Sequence, residues 1–157
     1  MISLSLKREH YWTVAALLLL STGKSMGDLT ENLSRHEIAC ADGCGFDTSD
    51  YELVVAIQKA CDHFNAVHQA DIIVIITGGN RCKAHNATIK GSSPDSYHIK
   101  GKAVDHRFRD RYTGEHIDPQ EVYDYYDGMY PDKYGIIIYS NRIHFDVRAD
   151  KYRGDKR

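Results

Sequence analysis

The chain has 157 residues, with 20 Lys+Arg against 22 Asp+Glu, a formal charge of -2 and 42% hydrophobic residues. That length suits one domain around a single core, and the near-neutral balance gives no basic footprint for duplex nucleic acid. The apolar share, beside 27% charged residues, also excludes a disordered tail. Nine His outnumber four Phe. Histidine is the commonest metal ligand and a frequent acid-base residue, so the question is which of them are more than surface groups.

Residues 1–27 differ from the rest. Lys7 and Arg8 precede the apolar run Tyr11 to Leu20, and Ser21, Thr22, Gly23, Lys24 and Ser25 follow. An apolar run of about ten is too short to span a bilayer, which takes about 20 residues. A charged front, an apolar middle and a small-residue end are those of a secretory signal or a membrane-tethering leader. The expected division is therefore a leader at 1–27 and a domain at 28–157, placed in the periplasm or secreted, with membrane contact only through the leader. An amphipathic helix docked on the domain is the competing reading, favoured by Glu9, His10 and the lack of an Ala-x-Ala site.

Cys40, Cys44, Cys61 and Cys82 bear on the same question. Export would favour one or two disulfides. A four-Cys zinc site and buried thiols are the alternatives, and no CxxC knuckle is present.

Along the folded part, Leu53, Val54, Ile57, Ala60, Cys61 and Phe64 share one face of a helix over 50–64, with Ser49 and Glu52 spaced as a capping box. The run Asp71 to Thr77 reads as a buried strand that ends at Gly78-Gly79-Asn80. From Arg81 to His98 the chain reads as a long loop, the kind that often carries function. A strand over 102–108 and a turn region over 109–116 come next. Asp118-Pro119 opens a Tyr-rich helix running to about Tyr130, with Glu121 as capping partner. Strands over 134–139 and 143–148 flank a turn at Ser140-Asn141, and the charged tail, 149–157, reads as frayed. This order predicts an α+β fold with a small, mostly antiparallel sheet and flanking helices.

Two segments carry chemistry. In Ser96 to Asp105, His98 ends the loop and Asp105 sits on the strand, and a reversal at Gly101 brings them to one point. In Arg142 to Arg148, strand alternation puts His144, Asp146 and Arg148 on one face and Ile143, Phe145 and Val147 on the other. Two His and one carboxylate with an open fourth position make the ligand count of a catalytic zinc site. Asp146 is then the nearest base on that face. Arg81, at the mouth of the loop, is a fitting oxyanion donor or carboxylate anchor, because its planar fork matches a carboxylate.

The pattern Ser96-x-His98-x-x-Gly101-x-Ala103-x-Asp105, followed by His144-x-Asp146, resembles the zinc D-Ala-D-Ala carboxypeptidase family, the M15 group of peptidases. That group includes phage lysins and murein endopeptidases and shares its fold with the hedgehog signalling domain. Leu33 to Glu37 with Cys40 to Gly45, and Thr77 to Cys82 with His85-Asn86, are similar to its phage and periplasmic branch. The resemblance implies that His98, Asp105 and His144 bind Zn2+, that Arg81 contacts substrate or the oxyanion, and that Ser96 hydrogen-bonds the substrate. It implies hydrolysis of peptidoglycan stem peptides or cross-links by a monomer, or else a zinc-retaining module that binds without cleaving. Family members often carry an acid or His shortly before the last ligand. Here Asn141 and Arg142 occupy those positions, so the base role falls by default to Asp146, with the orienting of a ligand as its alternative role. The Tyr of the usual Ser-Gly-Tyr-Arg is replaced in Gly78-Gly79-Asn80-Arg81.

The other histidines take plainer readings. His10, His36, His63, His68 and His116 read as surface or capping residues, His85 is undecided within the loop, and His106 faces away from the site. Tyr123, Tyr125, Tyr126, Tyr130, Tyr134 and Tyr139 read as packing at a helix–sheet boundary with wet hydroxyls.

Overall fold

A computed structural model describes residues 27–157, so the leader expected at 1–27 lies, apart from Gly27, outside the described residues. Its helices are α1 (Arg35–Ile38), α2 (Tyr51–His68), α3 (Lys83–Thr88) and α4 (Pro119–Met129), with a 3-10 turn over Tyr97–Lys100. Its strands are β1 (Ile72–Gly78), β2 (Ala103–Asp110), β3 (Gly135–Ile138), β4 (Ile143–Asp146) and β5 (Tyr152–Asp155). They form one sheet in the order β1-β2-β4-β3-β5, antiparallel except where β5 runs parallel to β3. This is the expected α+β class with a mostly antiparallel sheet. Among the described residues, no helix is long and apolar enough to cross a membrane.

Helices α2 and α4 cover one face of the sheet. Leu53, Ile57, Ala60, Cys61 and Phe64 of α2 are buried, the stripe that helical spacing predicts. They meet Val104, Phe108, Ile136, Ile143 and Phe145, the strand positions that alternation turns the same way. Tyr126 stacks on Phe145 at 4.3 Å, and Phe64 meets Phe108 at 5.2 Å. The opposite face carries Asp105, His144 and Asp146, and on that side the loops gather.

Several local readings change. The cap of α2 is Asp50, whose carboxylate accepts from Glu52 N–H at 2.9 Å. Ser49 is drawn away to Asn80, and Glu52 accepts from the Tyr134 hydroxyl at 2.8 Å. Asp118 caps α4 through Gln120 N–H, while Glu121 pairs with His68 at 2.7 Å. The stretch read as a bare loop, Arg81 to His98, contains α3 and part of the 3-10 turn. The tail read as frayed contains β5. Arg153 anchors it, donating to Asp127 at 2.6 Å and to the carbonyls of Tyr130 and Tyr134 at 2.7 and 2.8 Å. Tyr123, Tyr125, Tyr126, Tyr130 and Tyr134 do pack against the core between helix and sheet, whereas Tyr139 lines a cleft on the other side. Two hydroxyls are not wet, since Tyr134 reaches Glu52 and Tyr126 lies 3.0 Å from buried His106 Nε2.

Candidate metal centre and its cleft

The antiparallel ladder builds the centre. Asp105 on β2 and His144 on β4 are direct partners in register, so their side chains leave the sheet side by side on one face. His98 arrives from the 3-10 turn, which Ser96 caps by accepting His98 N–H at 3.3 Å. Gly101 makes the reversal between them at φ +66°, where a Cβ would also meet the Thr48 carbonyl oxygen at 2.6 Å. The fold-back that the sequence suggests at Gly101 is therefore the one observed.

Three ligand-type side chains converge, Asp105 through both of its carboxylate oxygens. His98 Nε2 lies 3.2 Å from His144 Nδ1, His144 Nδ1 lies 2.9 Å from Asp105 Oδ1, and His98 Nε2 lies 3.5 Å from Asp105 Oδ2. A tetrahedral zinc with bonds of about 2.0–2.1 Å has ligand edges of about 3.3 Å, so the observed edges bracket the requirement. The far nitrogens are held as well. His98 Nδ1 sits 2.8 Å from the Gly79 carbonyl, which fixes Nε2 as its inward lone pair. His144 Nε2 sits 3.0 Å from Asp146 Oδ2, which fixes Nδ1 in the same way. The donor set, its spacing and its held tautomers all fit a zinc ion.

Burial alone would raise the pKa of Asp105. Hydrogen bonds from His144 and His98 and their positive charge outweigh it and hold the carboxyl well below the usual range. For His144 burial lowers the pKa, and Asp105 and Asp146 raise it above its ordinary value of 6.5 on balance. The carboxylate is thus ready to bind a cation, and the imidazole gives up a proton when it does.

Asp146, expected as the proton acceptor, stands behind His144 and is 0% exposed. Arg148 grips it through two bonds, Nε to Oδ1 at 2.7 Å and Nη2 to Oδ2 at 2.6 Å. Burial would raise its pKa, but Arg148 and His144 bring it down to about 2. Arg148 is held in turn between the rings of Tyr97 and Tyr152, at 4.7 and 4.6 Å. From that position the Asp146 carboxylate does not meet the cleft.

Arg81 and Ser96 both line the cleft, which has a volume of about 470 Å³ and also takes in His98, Asp105 and His144. Arg81 donates from Nη2 to Asp105 Oδ2 at 3.0 Å, and its backbone N–H to the His98 carbonyl at 3.1 Å. Lys90, Arg142 and Lys156 add cations to the wall, and Tyr139 lies beneath Arg142 at 4.1 Å. Among the described residues, Asp105 is the one carboxylate in that lining.

Two glycines make the space that the acids need. Gly78 is the partner of Asp105 on β1, and a Cβ there would come within 2.7 Å of its Oδ2. Gly135 is the partner of Asp146 on β3, and a Cβ there would clash with its carboxylate. A glycine at a strand edge beside an apolar run is the signal that marks such a close approach. The cysteines also divide differently from the four-Cys site considered above. The sulfurs of Cys40, Cys44 and Cys82 gather within 4.8 Å of one another, whereas Cys61 donates to the Ile72 carbonyl at 2.9 Å beneath the sheet.

A family model described as Peptidase M15 matches residues 31–146, a span that includes His98, Asp105, His144, Arg81 and Ser96. No curated protein and no solved structure matches the chain.

Proposed function

The chain belongs to the peptidase M15 family, and from that premise we propose that it is a zinc-dependent metallopeptidase hydrolysing amide bonds in peptidoglycan stem peptides or their cross-links. The observation that carries this reading is the cross-strand pair Asp105 and His144 meeting His98 Nε2 within 3.5 Å on the open side of the sheet. Zinc held by the three would supply a Lewis acid for the amide carbonyl and acidify the attacking water.

The chain's own residues do the rest. His98 is locked by the Gly79 carbonyl and His144 by Asp146, so neither ring turns away when substrate enters. Arg81 directs a guanidinium into the cleft beside Asp105, where it meets the charge that develops on the carbonyl oxygen. Ser96 offers a hydroxyl at the wall for the substrate backbone or its carboxylate. Among the described residues, Arg81, Lys90, Arg142 and Lys156 outnumber the single acid of the lining, which suits a peptide bearing carboxylates, as stem peptides do. Asp146 takes the role of positioning residue for His144, since its oxygens are already bound by Arg148 and His144.

The test is incubation of zinc-loaded protein with purified murein, followed by mass spectrometry of the released fragments. A defined new amine and carboxyl terminus names the bond. His98→Ala and His144→Ala should release nothing, and full turnover by either variant without bound metal would overturn the reading.

A second reading is a zinc-retaining module that binds wall peptides without cutting them. It is favoured by the seal over Asp146 and by the lack, among the described residues, of a second carboxylate in the cleft lining. One equivalent of zinc at this centre, murein binding and no released peptide would select it.

A further inference from the structure

A second cluster of metal-type side chains stands beside the cleft, on the far side of Arg81. Cys40 and Cys44 lie in the turn that follows α1, and Cys82 directly follows Arg81 at the start of α3. The three sulfurs are within 4.8 Å of one another. His85, three residues past Cys82, brings Nδ1 to 3.4 Å from Cys40 Sγ. We propose that Cys40, Cys44, Cys82 and His85 bind a structural zinc ion, separate from the His98, Asp105 and His144 centre.

The donor chemistry supports a metal of this class. Three thiolates and one imidazole make a closed set for tetrahedral zinc, with no position left for substrate. In such a set the S–S edges are about 3.8 Å and the S–N edge about 3.6 Å. His85 Nδ1 already stands at about that distance from Cys40 Sγ, and the three sulfurs, within 4.8 Å of one another, would draw in with His85 as the ion closes the set. Cys-x3-Cys and Cys-x2-His are spacings at which a turn presents two ligands to one ion. Backbone N–H groups already point at the sulfurs: Cys82 N–H donates to Cys40 Sγ at 3.3 Å, and His85 N–H donates to Cys82 Sγ at 3.3 Å. Donors of this kind stabilise the thiolate. Asp42 also approaches Cys82 Sγ, at 3.5 Å, but a hard carboxylate competes poorly with imidazole in a thiolate-rich set.

A disulfide accounts for the cluster less well. It would join two of the three sulfurs, leave the third thiol odd and leave the imidazole without a role. The surroundings also call for a tether. Residues 41–45 are all exposed, and Gly43 and Gly45 adopt positive φ of +68° and +79°, so little packing holds the turn. The ion would staple it to the segment 79–85, which presents the Gly79 carbonyl to His98 and aims Arg81 at Asp105.

The experiment uses the full chain, purified without reductant, loaded with Co2+ and with Zn2+ in parallel. Thiolate-to-cobalt charge-transfer absorption in the near ultraviolet reports only the cysteine site, because the other centre has no sulfur. The expected result is two zinc ions per chain by native mass spectrometry and a strong charge-transfer band. Cys44→Ser, at an exposed position, and His85→Ala should each weaken the band and remove one ion. The double variant His98→Ala/His144→Ala should keep the band and lose the other ion. Loss of two mass units to a disulfide among these three cysteines would overturn the proposal, as would a metal-loaded chain without the band. Failure of the catalytic centre to bind metal reads differently, as one ion per chain that disappears in Cys44→Ser.

Discussion

The two clusters on either side of Arg81 are built in opposite ways. His98, Asp105 and His144 are 3%, 13% and 12% exposed at the side chain, and two of them stand on strands whose ladders are filled on both edges. Cys40, Cys44 and Cys82 stand on a surface turn and at the mouth of a six-residue helix, with Cys44 exposed. In the first the backbone hydrogen bonds of the sheet set the ligand geometry before any ion arrives. In the second the ion itself would complete the geometry. Preorganisation of that kind suits a centre whose fourth position must stay open for chemistry, and a closed four-ligand set suits a clasp.

The contrast is sharpest for the ligands themselves. His98→Ala or His144→Ala should reduce murein cleavage to background while the far-ultraviolet spectrum stays native, because the sheet does not depend on the ion. A collapsed spectrum in both variants would show that the sheet site also needs its metal to fold.

Arg81→Ala, between the clusters, should lower kcat/KM by about 10²–10³-fold, the cost of one missing oxyanion donor, with both metal equivalents retained. An unchanged rate would remove Arg81 from the chemistry and leave it as a strut for Asp105.

The underside of the same strand offers a pH test. His106 is fully buried, and desolvation takes its pKa from 6.5 down to about 4. Its depressed value means that the unfolded chain binds the proton more tightly, so the stability is complete above 6.5 and falls as the pH drops from 6.5 to about 4. The loss is about 3 kcal/mol over that window. Asp146 adds to it only below the ordinary carboxyl value of 3.8, since its folded value is about 2. Urea midpoints measured across this range should slope for the wild type and flatten between pH 6.5 and 4 for His106→Gln; an equal slope in the variant would place the acid sensitivity elsewhere.

Asp146→Asn separates the two roles for that residue. As a positioning group it should cost about 10–100-fold in zinc affinity, with activity restored by excess zinc. As the base it would cost turnover that zinc does not restore, together with the acid limb of the pH–rate profile. The smallest effect should follow mild chelation: amide exchange should quicken over 39–45 and 81–86 while β2 and β4 keep their protection. Uniform quickening would abolish the distinction between a preformed centre and a clasp.

Much of the centre was legible in the chain because strand alternation is local. The period of two in Ile143, His144, Phe145 and Asp146 is enough to sort ligand from core, and Gly101 is enough to suggest the reversal. Asp105 and His144 being register partners was not legible, since register is set by the packing of the other face against α2 and α4. The cap at Asp50 and the paired tail at β5 were missed for a related reason. Ser49 and Arg153 have good local alternatives, and only Asn80 and Asp127, brought close by the fold, decide between them.

By itself the sequence determined the donor types, their places on loop or strand and the α+β class, all of which follow from side-chain chemistry and short-range periodicity. Tertiary structure decided what stands behind each donor. The same His-x-Asp spacing accommodates a base open to water or a carboxylate sealed under arginine, and in the fold Arg148, wedged between Tyr97 and Tyr152, donates to both oxygens of Asp146. It likewise separated Cys61 from the three other cysteines and brought His85 to Cys40, 45 positions away, because contact at that range depends on how whole elements pack and not on the spacing of residues along the chain.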